Sequence, residues 1–230
     1  MQEAPYDFEA GAILLFNKPL TWTSFDLVKK TKFALKIKKI GHAGTLDPLA
    51  TGLLIMCTGK FTKRIEEIQA QEKEYTGKFI IGHTTPSFDL ETEVDSTSPT
   101  DHLTEEMLQE AAASFLGEID QTPPIYSAVK VNGERAYNIA RRGGEAEIKS
   151  KRITIKAFDL TAIEGNQVSF RVVCSKGTYI RSLARDFGLK LGCGAYLSEL
   201  VRTRIGEYRV EDAMSLDQLQ ELREKQLGPA

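Results

Sequence analysis

Apolar and polar positions along the chain fall into runs with two distinct periods. Ile13-Leu14-Leu15-Phe16 is a short continuous apolar run, and Asn17-Lys18-Pro19 ends it, which predicts a buried strand. Ser24 is a suitable N-cap for a helix reaching about Lys38, in which Phe25, Leu27, Val28, Phe33, Leu35 and Ile37 supply helically spaced apolar positions. Leu53–Thr58 reads as a second buried strand, and a short helix over approximately Phe61–Gln69 follows Gly59. In Lys73–His83 the period becomes two, with Tyr75, Gly77, Phe79 and Ile81 on one side of a strand.

The second half continues the mixture. Thr84–Asp101 is rich in Pro, Ser, Thr and Asp and reads as a long loop. Leu103–Leu116 is an amphipathic helix capped by Asp101 or Thr104. Val131-Asn132-Gly133-Glu134 carries an Asn-Gly hairpin signal, and Tyr137–Arg142 is one or two helical turns stopped by Gly143-Gly144. Lys151–Ala162 and Gln167–Cys174 are paired strands joined across Glu164-Gly165-Asn166. Thr178–Leu191 is a helix ended by Gly192-Cys193-Gly194, and Tyr196–Val210 is largely extended. Ser215-Leu216-Asp217-Gln218 is a capping-box start to the last helix. The order of elements predicts an α+β protein, without fixing the order of its strands.

Gly41–Gly52 breaks both periods. Glycines at 41, 44 and 52 permit unusual or closely approached backbone, while Pro48 fixes its own φ and pushes Asp47 toward extended geometry. Asp47 is the only carboxylate between Asp26 and Glu66. On spacing alone, an Asp-Pro pair begins a turn.

Charge changes the picture through its distribution. The net charge is only −2, yet Lys29, Lys30, Lys32, Lys36, Lys38 and Lys39 crowd one segment, followed by Lys60, Lys63 and Arg64. Arg141, Arg142, Lys149, Lys151, Arg152 and Lys156 form a second cluster. Acidic residues collect from Asp89 to Glu110 and from Glu211 to Glu224. Such asymmetry can place a positive face on a nearly neutral protein, and it also suits a solvated helix with surplus lysines. The N-terminus is acidic and no apolar run is long enough to cross a bilayer, so a soluble cytoplasmic protein is expected. Cys57, Cys174 and Cys193 lack metal-ligand spacing and read as reduced, partly buried thiols. No P-loop, dinucleotide fingerprint or metal-spaced His/Cys cluster is present.

Gly41-His42-Ala43-Gly44-Thr45-Leu46-Asp47-Pro48-Leu49-Ala50-Thr51-Gly52 resembles the signature of the TruB family, the tRNA pseudouridine-55 synthases. A second stretch, Cys174-Ser175-Lys176-Gly177-Thr178-Tyr179-Ile180-Arg181, is similar to another family motif, and the likeness extends over approximately Gly11 to Leu219. The resemblance implies the pseudouridine synthase fold, a large, mostly antiparallel mixed and curved sheet flanked by helices and loops. It implies one catalytic domain over residues 1–230 with family-type RNA-binding insertions. With the sequence running to Ala230, the C-terminal PUA domain usual in relatives is not expected here.

The resemblance also implies roles. Asp47 is the catalytic residue, Tyr75 stacks on the target base, and Arg181 forms an ion pair with Asp47. Burial disfavours a charged carboxylate, and an adjacent guanidinium opposes that and aims it. His42 enters the RNA loop and fills the space left by the flipped base. Lys18, in Asn17-Lys18-Pro19, and Tyr179 belong to substrate-binding motifs, although Thr21 stands where family members carry glycine. Leu200, assisted by Leu197, walls the pocket. Asp89 matches an active-site position, but Pro86 stands where many members have an acidic residue. The reaction needs no cofactor and no metal. One carboxylate can attack ribose C1′, take the C2′ proton, or add to uracil C6, and the sequence leaves all three open. The implied partner is the T-arm stem-loop of tRNA, with the protein acting as a monomer without an obligatory protein partner. Two other readings stand beside this one: a tRNA-binding or folding module with secondary or lost catalysis, and a guide-dependent relative working in a ribonucleoprotein.

Overall fold

The structure is a computed structural model and describes residues 6–127, 129–131, 133–142, 144 and 147–228, with the backbone alone for Lys130 and Arg141. Its elements run in chain order as β1 (Ile13–Lys18), α1 (Ser24–Ala34), β2 (Ile40–His42), β3 (Ala50–Thr58), α2 (Ile65–Ala70) and β4 (Lys73–Ile81). Then come β5 (His83–Thr84), β6 (Ser96–Thr97), α3 (Glu105–Ala113), β7 (Gly117–Gln121), β8 (Lys130–Val131), β9 (Glu134–Arg135) and α4 (Ala136–Arg141). The chain closes with β10 (Lys151–Glu164), β11 (Gln167–Cys174), α5 (Ile180–Leu191), β12 (Ala195–Ile205), β13 (Tyr208–Arg209) and α6 (Leu216–Leu227). The fold is α+β. Among the described residues the strand order is β1-β3-β12-β4-β11-β10-β7, with β2 on β3 and β13 on β12 in a nine-stranded sheet. The β1–β3, β2–β3, β7–β10, β10–β11 and β12–β13 pairs are antiparallel.

The chain forms two compact units, residues 1–75 with 201–230, and residues 76–200; β4 and β12 run through both. In the first unit, β3 is covered on both faces. Leu54 and Met56 join Leu14, Phe16, Leu27, Leu35, Ile37 and Leu219 on one side. Leu53, Ile55 and Cys57 join Ala43, Ile68 and Ile205 on the other. That is why the strand reads as an unbroken apolar run rather than an alternation. In the second unit Phe79 stacks on Phe170 with centroids 4.2 Å apart, and Phe158 and Phe187 pack around them. Each such ring contributes about 1.5–3 kcal/mol by leaving water. Gly77 occupies a position in the alternating face of β4 where a Cβ would lie 2.1 Å from the Glu199 carbonyl oxygen. The neighbouring strand's backbone excludes any side chain there.

Several expected boundaries move. The first strand includes Asn17 and Lys18, and β3 begins at Ala50, three residues before the predicted start. The short helix after Gly59 is a 3-10 turn, Gly59–Arg64, continued by α2. The expected long loop carries β6 and the second residue of β5, Thr84 opposite Ser96, while His83 before it pairs with Thr97. α3 is capped by Thr104, whose hydroxyl accepts from the Met107 N–H. β10 and β11 pair as expected, and α6 starts at Ser215 with the full capping box. β8 and β9 form the hairpin, whose turn residue Asn132 lies outside the described residues, as does Gly143.

The first helix differs most. Its N-cap is Thr23, not Ser24: Thr23 Oγ1 accepts from the Asp26 N–H, and Asp26 returns the contact. Ser24 is already helical and buried, which frees its hydroxyl for a tertiary contact. The helix stops at Ala34 because Lys36 turns to φ 52°. Phe25 and Phe33, expected on the apolar face, are 69% and 70% exposed. Leu27, Val28 and Leu35 make the buried face instead.

Thr21 adopts φ 69°, the left-handed region, and its N–H donates to the Pro48 carbonyl at 2.8 Å. For a β-branched residue this conformation costs about 1–2 kcal/mol. Thr21→Gly removes that strain but gives back part of it as unfolded-chain entropy. The expected result is a net gain of about 0.5–1 kcal/mol in urea unfolding, with an unchanged slope. A midpoint at or below that of the wild type would show that the surrounding contacts impose no strain at Thr21.

Candidate active site

Asp47 lies in irregular backbone between β2 and β3, half-buried, and its carbonyl accepts from the Ala50 N–H at 3.1 Å. The loop carrying it is held by contacts from elsewhere in the first unit. Ser24 Oγ accepts from the Leu46 N–H at 2.8 Å and donates to the Leu46 carbonyl at 3.0 Å. The Pro48 carbonyl accepts from the Thr21 N–H and, at 3.4 Å, from Lys18 Nζ. The loop residue just before Asp47 and the one just after it are therefore both fixed.

Lys18, expected in a substrate-binding motif, is buried beneath the Asp47 loop. Its exposure is 0%, and Nζ donates to the carbonyls of Pro19 at 2.9 Å, Trp22 at 2.6 Å and Pro48. Burial lowers its pKa to about 8, opposed by the charge of Asp47 and aided by that of Arg202. Lys18 acts as an internal cation under the Asp47 loop.

Arg202, on β12, is a second such cation, and nothing in its local sequence announced it. It is fully buried; Nε donates to the Leu53 carbonyl at 2.8 Å, Nη2 to Gly44 at 3.1 Å and Nη1 to Thr45 at 3.4 Å. Tyr75 also hydrogen-bonds its guanidinium, so Tyr75 is tied to the same group that holds the loop. Burial pushes the Arg202 pKa down, and the Tyr75 contact opposes that. The planar fork of arginine suits several carbonyls at once. Gly52 makes room for it: a Cβ there would sit 2.4 Å from the Arg202 carbonyl oxygen, and φ is 99°. Tyr75 itself is only 9% exposed. His42, half-buried at the end of β2, has its pKa lowered by burial, against a Gly44 backbone hydrogen bond and with the charge of Arg202. Burial thus favours the neutral form of its imidazole.

The second unit carries the other expected residues. Arg181 and Asp89 form a buried ion pair, Nε to Oδ2 3.5 Å. Arg181 also donates to the Tyr126 carbonyl at 2.9 Å and the Ser87 carbonyl at 3.4 Å. Asp89 sits in a tight turn in which Thr85 Oγ1 donates to its carbonyl, next to Phe88 at φ 63°. Leu197 N–H donates to the Phe88 carbonyl at 2.9 Å, and Leu197 is buried while Leu200 is half-buried. Tyr179 heads α5 without a side-chain cap. Gln121 clamps it instead, accepting from the Tyr179 N–H at 2.8 Å and donating to its carbonyl at 3.1 Å. Gln121 was another residue that sequence reasoning missed. Pairing of a buried polar strand residue with a helix start leaves no short-range pattern to read.

Of the second basic cluster, Arg142 pairs with Glu134 and Arg152 with Asp120, while the Arg141 side chain lies outside the described residues. The three cysteines are buried and free. Among the described residues no group of three or more His, Cys, Asp or Glu could hold a metal ion, and no helix is long and apolar enough to cross a membrane.

Comparison with known proteins gives concordant matches. Residues 32–180 match the model of the TruB family pseudouridylate synthase N-terminal domain, and residues 181–228 that of the tRNA pseudouridylate synthase B C-terminal domain. A protein of Flavobacterium johnsoniae named tRNA pseudouridine synthase B is 54% identical over 224 residues, 94% of this chain and 98% of the relative. One of the same name from Parabacteroides distasonis is 55% identical over 225 residues, covering 95% and 96%. Among solved structures, a Cbf5-Nop10-Gar1 complex contains a chain 30% identical with a TM-score of 0.75, over 97% of this chain and 58% of that one. This chain thus spans somewhat over half of that structure's chain.

The buried ammonium of Lys18 has a measurable signature. Its folded value of about 8 lies below the ordinary lysine value of 10.5. Below about pH 8 the group is protonated in both states, and folding bears the full cost of desolvating it. Between the two values the unfolded chain binds the extra proton, so stability rises with pH, by up to about 3 kcal/mol. Urea unfolding from about pH 7 to about pH 10 should show this rise in the wild type relative to Lys18→Met. Parallel pH profiles for the two proteins would place the Lys18 ammonium in water.

Proposed function

The chain belongs to the TruB family of pseudouridylate synthases, and from that premise we propose that it isomerises uridine 55 in the T-loop of tRNA to pseudouridine. The observation that carries the reading is the Asp47 loop. A single carboxylate stands on backbone whose carbonyls are gripped by two internal cations, Lys18 and Arg202, and by Ser24. Such a scaffold suits a reaction in which positioning of one group supplies much of the rate. Relatives of near-equal length named tRNA pseudouridine synthase B favour the enzyme over an RNA module with lost catalysis. They also favour it over a guide-dependent ribonucleoprotein.

In the reaction the bond between uracil N1 and ribose C1′ breaks, the base turns, and C5 bonds to C1′. C5 gives up its hydrogen to solvent and N1 gains one. Oxidation state is unchanged and no group leaves, so the balance calls for no cofactor. We assign the chemistry to Asp47, base stacking to Tyr75, and charge support to Arg181, whose buried partner Asp89 fixes its orientation. His42, whose burial favours the uncharged imidazole, suits insertion among bases. Tyr179, Leu197 and Leu200 belong to the pocket for the extruded uracil. Extrusion costs a few kcal/mol, and stacking offsets part of it. We further propose that both units together form one catalytic domain. It works as a monomer in the cytoplasm on the T-arm stem-loop, without an obligatory protein partner.

The test is release of tritium from C5-labelled uridine in an unmodified tRNA transcript and in an isolated T-arm stem-loop. The wild type should release it from both, with kcat/KM within about tenfold, roughly 1.4 kcal/mol. Asp47→Asn should bind both RNAs and release none, since the amide keeps the shape and loses the charge. Release at a comparable rate by this variant would remove Asp47 from the mechanism. Wild-type binding without release would leave an RNA-binding module.

A further inference from the structure

The exposed face of α1 is unlike an ordinary solvated helix. Ser24, Leu27, Val28 and Thr31 are buried, and the opposite side carries Phe25, Lys29, Lys32 and Phe33. Phe25, Lys29 and Phe33 stand four residues apart and share one stripe. Both rings are about seven-tenths exposed, far more than a core aromatic or a snorkelling side chain would be. Two such phenylalanines on an 11-residue helix form an apolar feature that needs a partner.

Position and charge say which partner. Ser24, the residue before Phe25, clasps Leu46, the residue before Asp47, so the stripe starts beside the Asp47 loop. Phe33 follows Phe25 by eight residues, about 12 Å along the axis, roughly the height of three or four stacked bases. Lys29, Lys30 and Lys32 on the same helix, and Lys36 just beyond its end, are all exposed cations. The nearby carboxylates are engaged: Asp26 in the Thr23 cap and Glu9 with Lys38 at 2.5 Å. A polyanion with flat apolar faces complements this surface, whereas an acidic protein partner would not need two rings at that spacing.

We propose that the outer face of α1 is an RNA-binding track, on which Phe25 and Phe33 stack against unpaired bases of the RNA presented to Asp47, while Lys29 and Lys32 hold its phosphates. It rests on the reading of this chain as an RNA-modifying enzyme and extends the contact surface beyond the loop that holds the target uridine. Aromatic platforms interleaved with cations are how proteins bind unpaired strands without reading sequence. The track accordingly contributes affinity and orientation rather than specificity for one base.

The experiment measures the Kd of a fluorescent tRNA transcript for Phe25→Ala, Phe33→Ala and the double variant, beside tritium release by the wild type. Stacking of one base is worth about 1–3 kcal/mol, so each single variant should weaken binding about fivefold to a hundredfold. Both residues are exposed, so thermal stability should hold. Phe33→Trp should retain binding, and Leu189→Ala, an exposed apolar residue on α5, should leave Kd unchanged. Lys29→Gln should reduce the slope of log K against log salt by about 0.7. A double variant that binds like a wild type active on the same tRNA overturns the track and leaves the enzyme reading intact. A wild type that neither binds nor isomerises tRNA defeats that reading, and the track with it. A wild-type dimer that the double variant converts to monomer, with Kd for RNA unchanged, assigns the face to a second copy and also overturns the proposal.

Discussion

Two buried cations without a described carboxylate bonded to them are costly to fold around, and the first unit is built on that cost. Lys18 and Arg202 lose their hydration almost entirely, and backbone carbonyls replace the water. Leaving any one of these cations unpartnered inside a protein would cost several kcal/mol. The carbonyls must therefore stay where the cations need them. Because those carbonyls belong to Gly44, Thr45 and Pro48, on either side of Asp47, the requirement also fixes the backbone of the loop. Of the two, Lys18 also interacts through its charge with the Asp47 carboxylate. One arrangement thus sets the position of the acidic residue and its electrostatic surroundings.

Several features follow from it. Gly52 has to lack a side chain because the Arg202 backbone passes within 2.4 Å of where a Cβ would be. β3 is buried on both faces, which gives the loop a rigid exit, and Ser24 joins the start of α1 to its centre. Thr21 accepts a strained left-handed conformation while its N–H reaches the Pro48 carbonyl. In the second unit the logic repeats on a smaller scale: Asp89 and two carbonyls hold the Arg181 guanidinium, and Gln121 holds the backbone at the start of α5.

What the sequence made legible was what short-range physics decides. β10 and β11 declare themselves by their apolar pattern and the turn at Gly165, and α6 by Ser215 and Gln218 three residues apart. The Gly41–Gly52 loop was visible from its glycines and Pro48, and its match to a family motif named Asp47. Thr23 was missed as the cap of α1 because Ser24 is equally suitable by type, and only the tertiary contact with Leu46 decides between them. Phe25 and Phe33 looked like core residues because periodicity cannot say which of two adjacent apolar stripes faces inward. Arg202 was invisible for a deeper reason. In Val201-Arg202-Thr203-Arg204 an arginine on an alternating strand reads as a solvent-facing charge, and nothing local tells it from Arg204. Its burial depends on carbonyls about 150 residues away in sequence. The one hint was the glycine at 52, which marks a close backbone approach without saying by what.

If backbone held by buried cations positions Asp47, the grip of Arg202 on the loop is needed for the chemistry there. Arg202→Lys keeps a cation but loses the planar fork that serves several carbonyls together. The direct measurement is the single-turnover rate constant for tritium release at saturating tRNA, on variant protein shown to be folded by its circular dichroism. A loop displaced by about 1 Å should lower that constant about a hundredfold while tRNA affinity stays within a few fold. A rate constant equal to the wild type in a folded Arg202→Lys protein would mean that the loop holds Asp47 in place without Arg202, and would contradict the account.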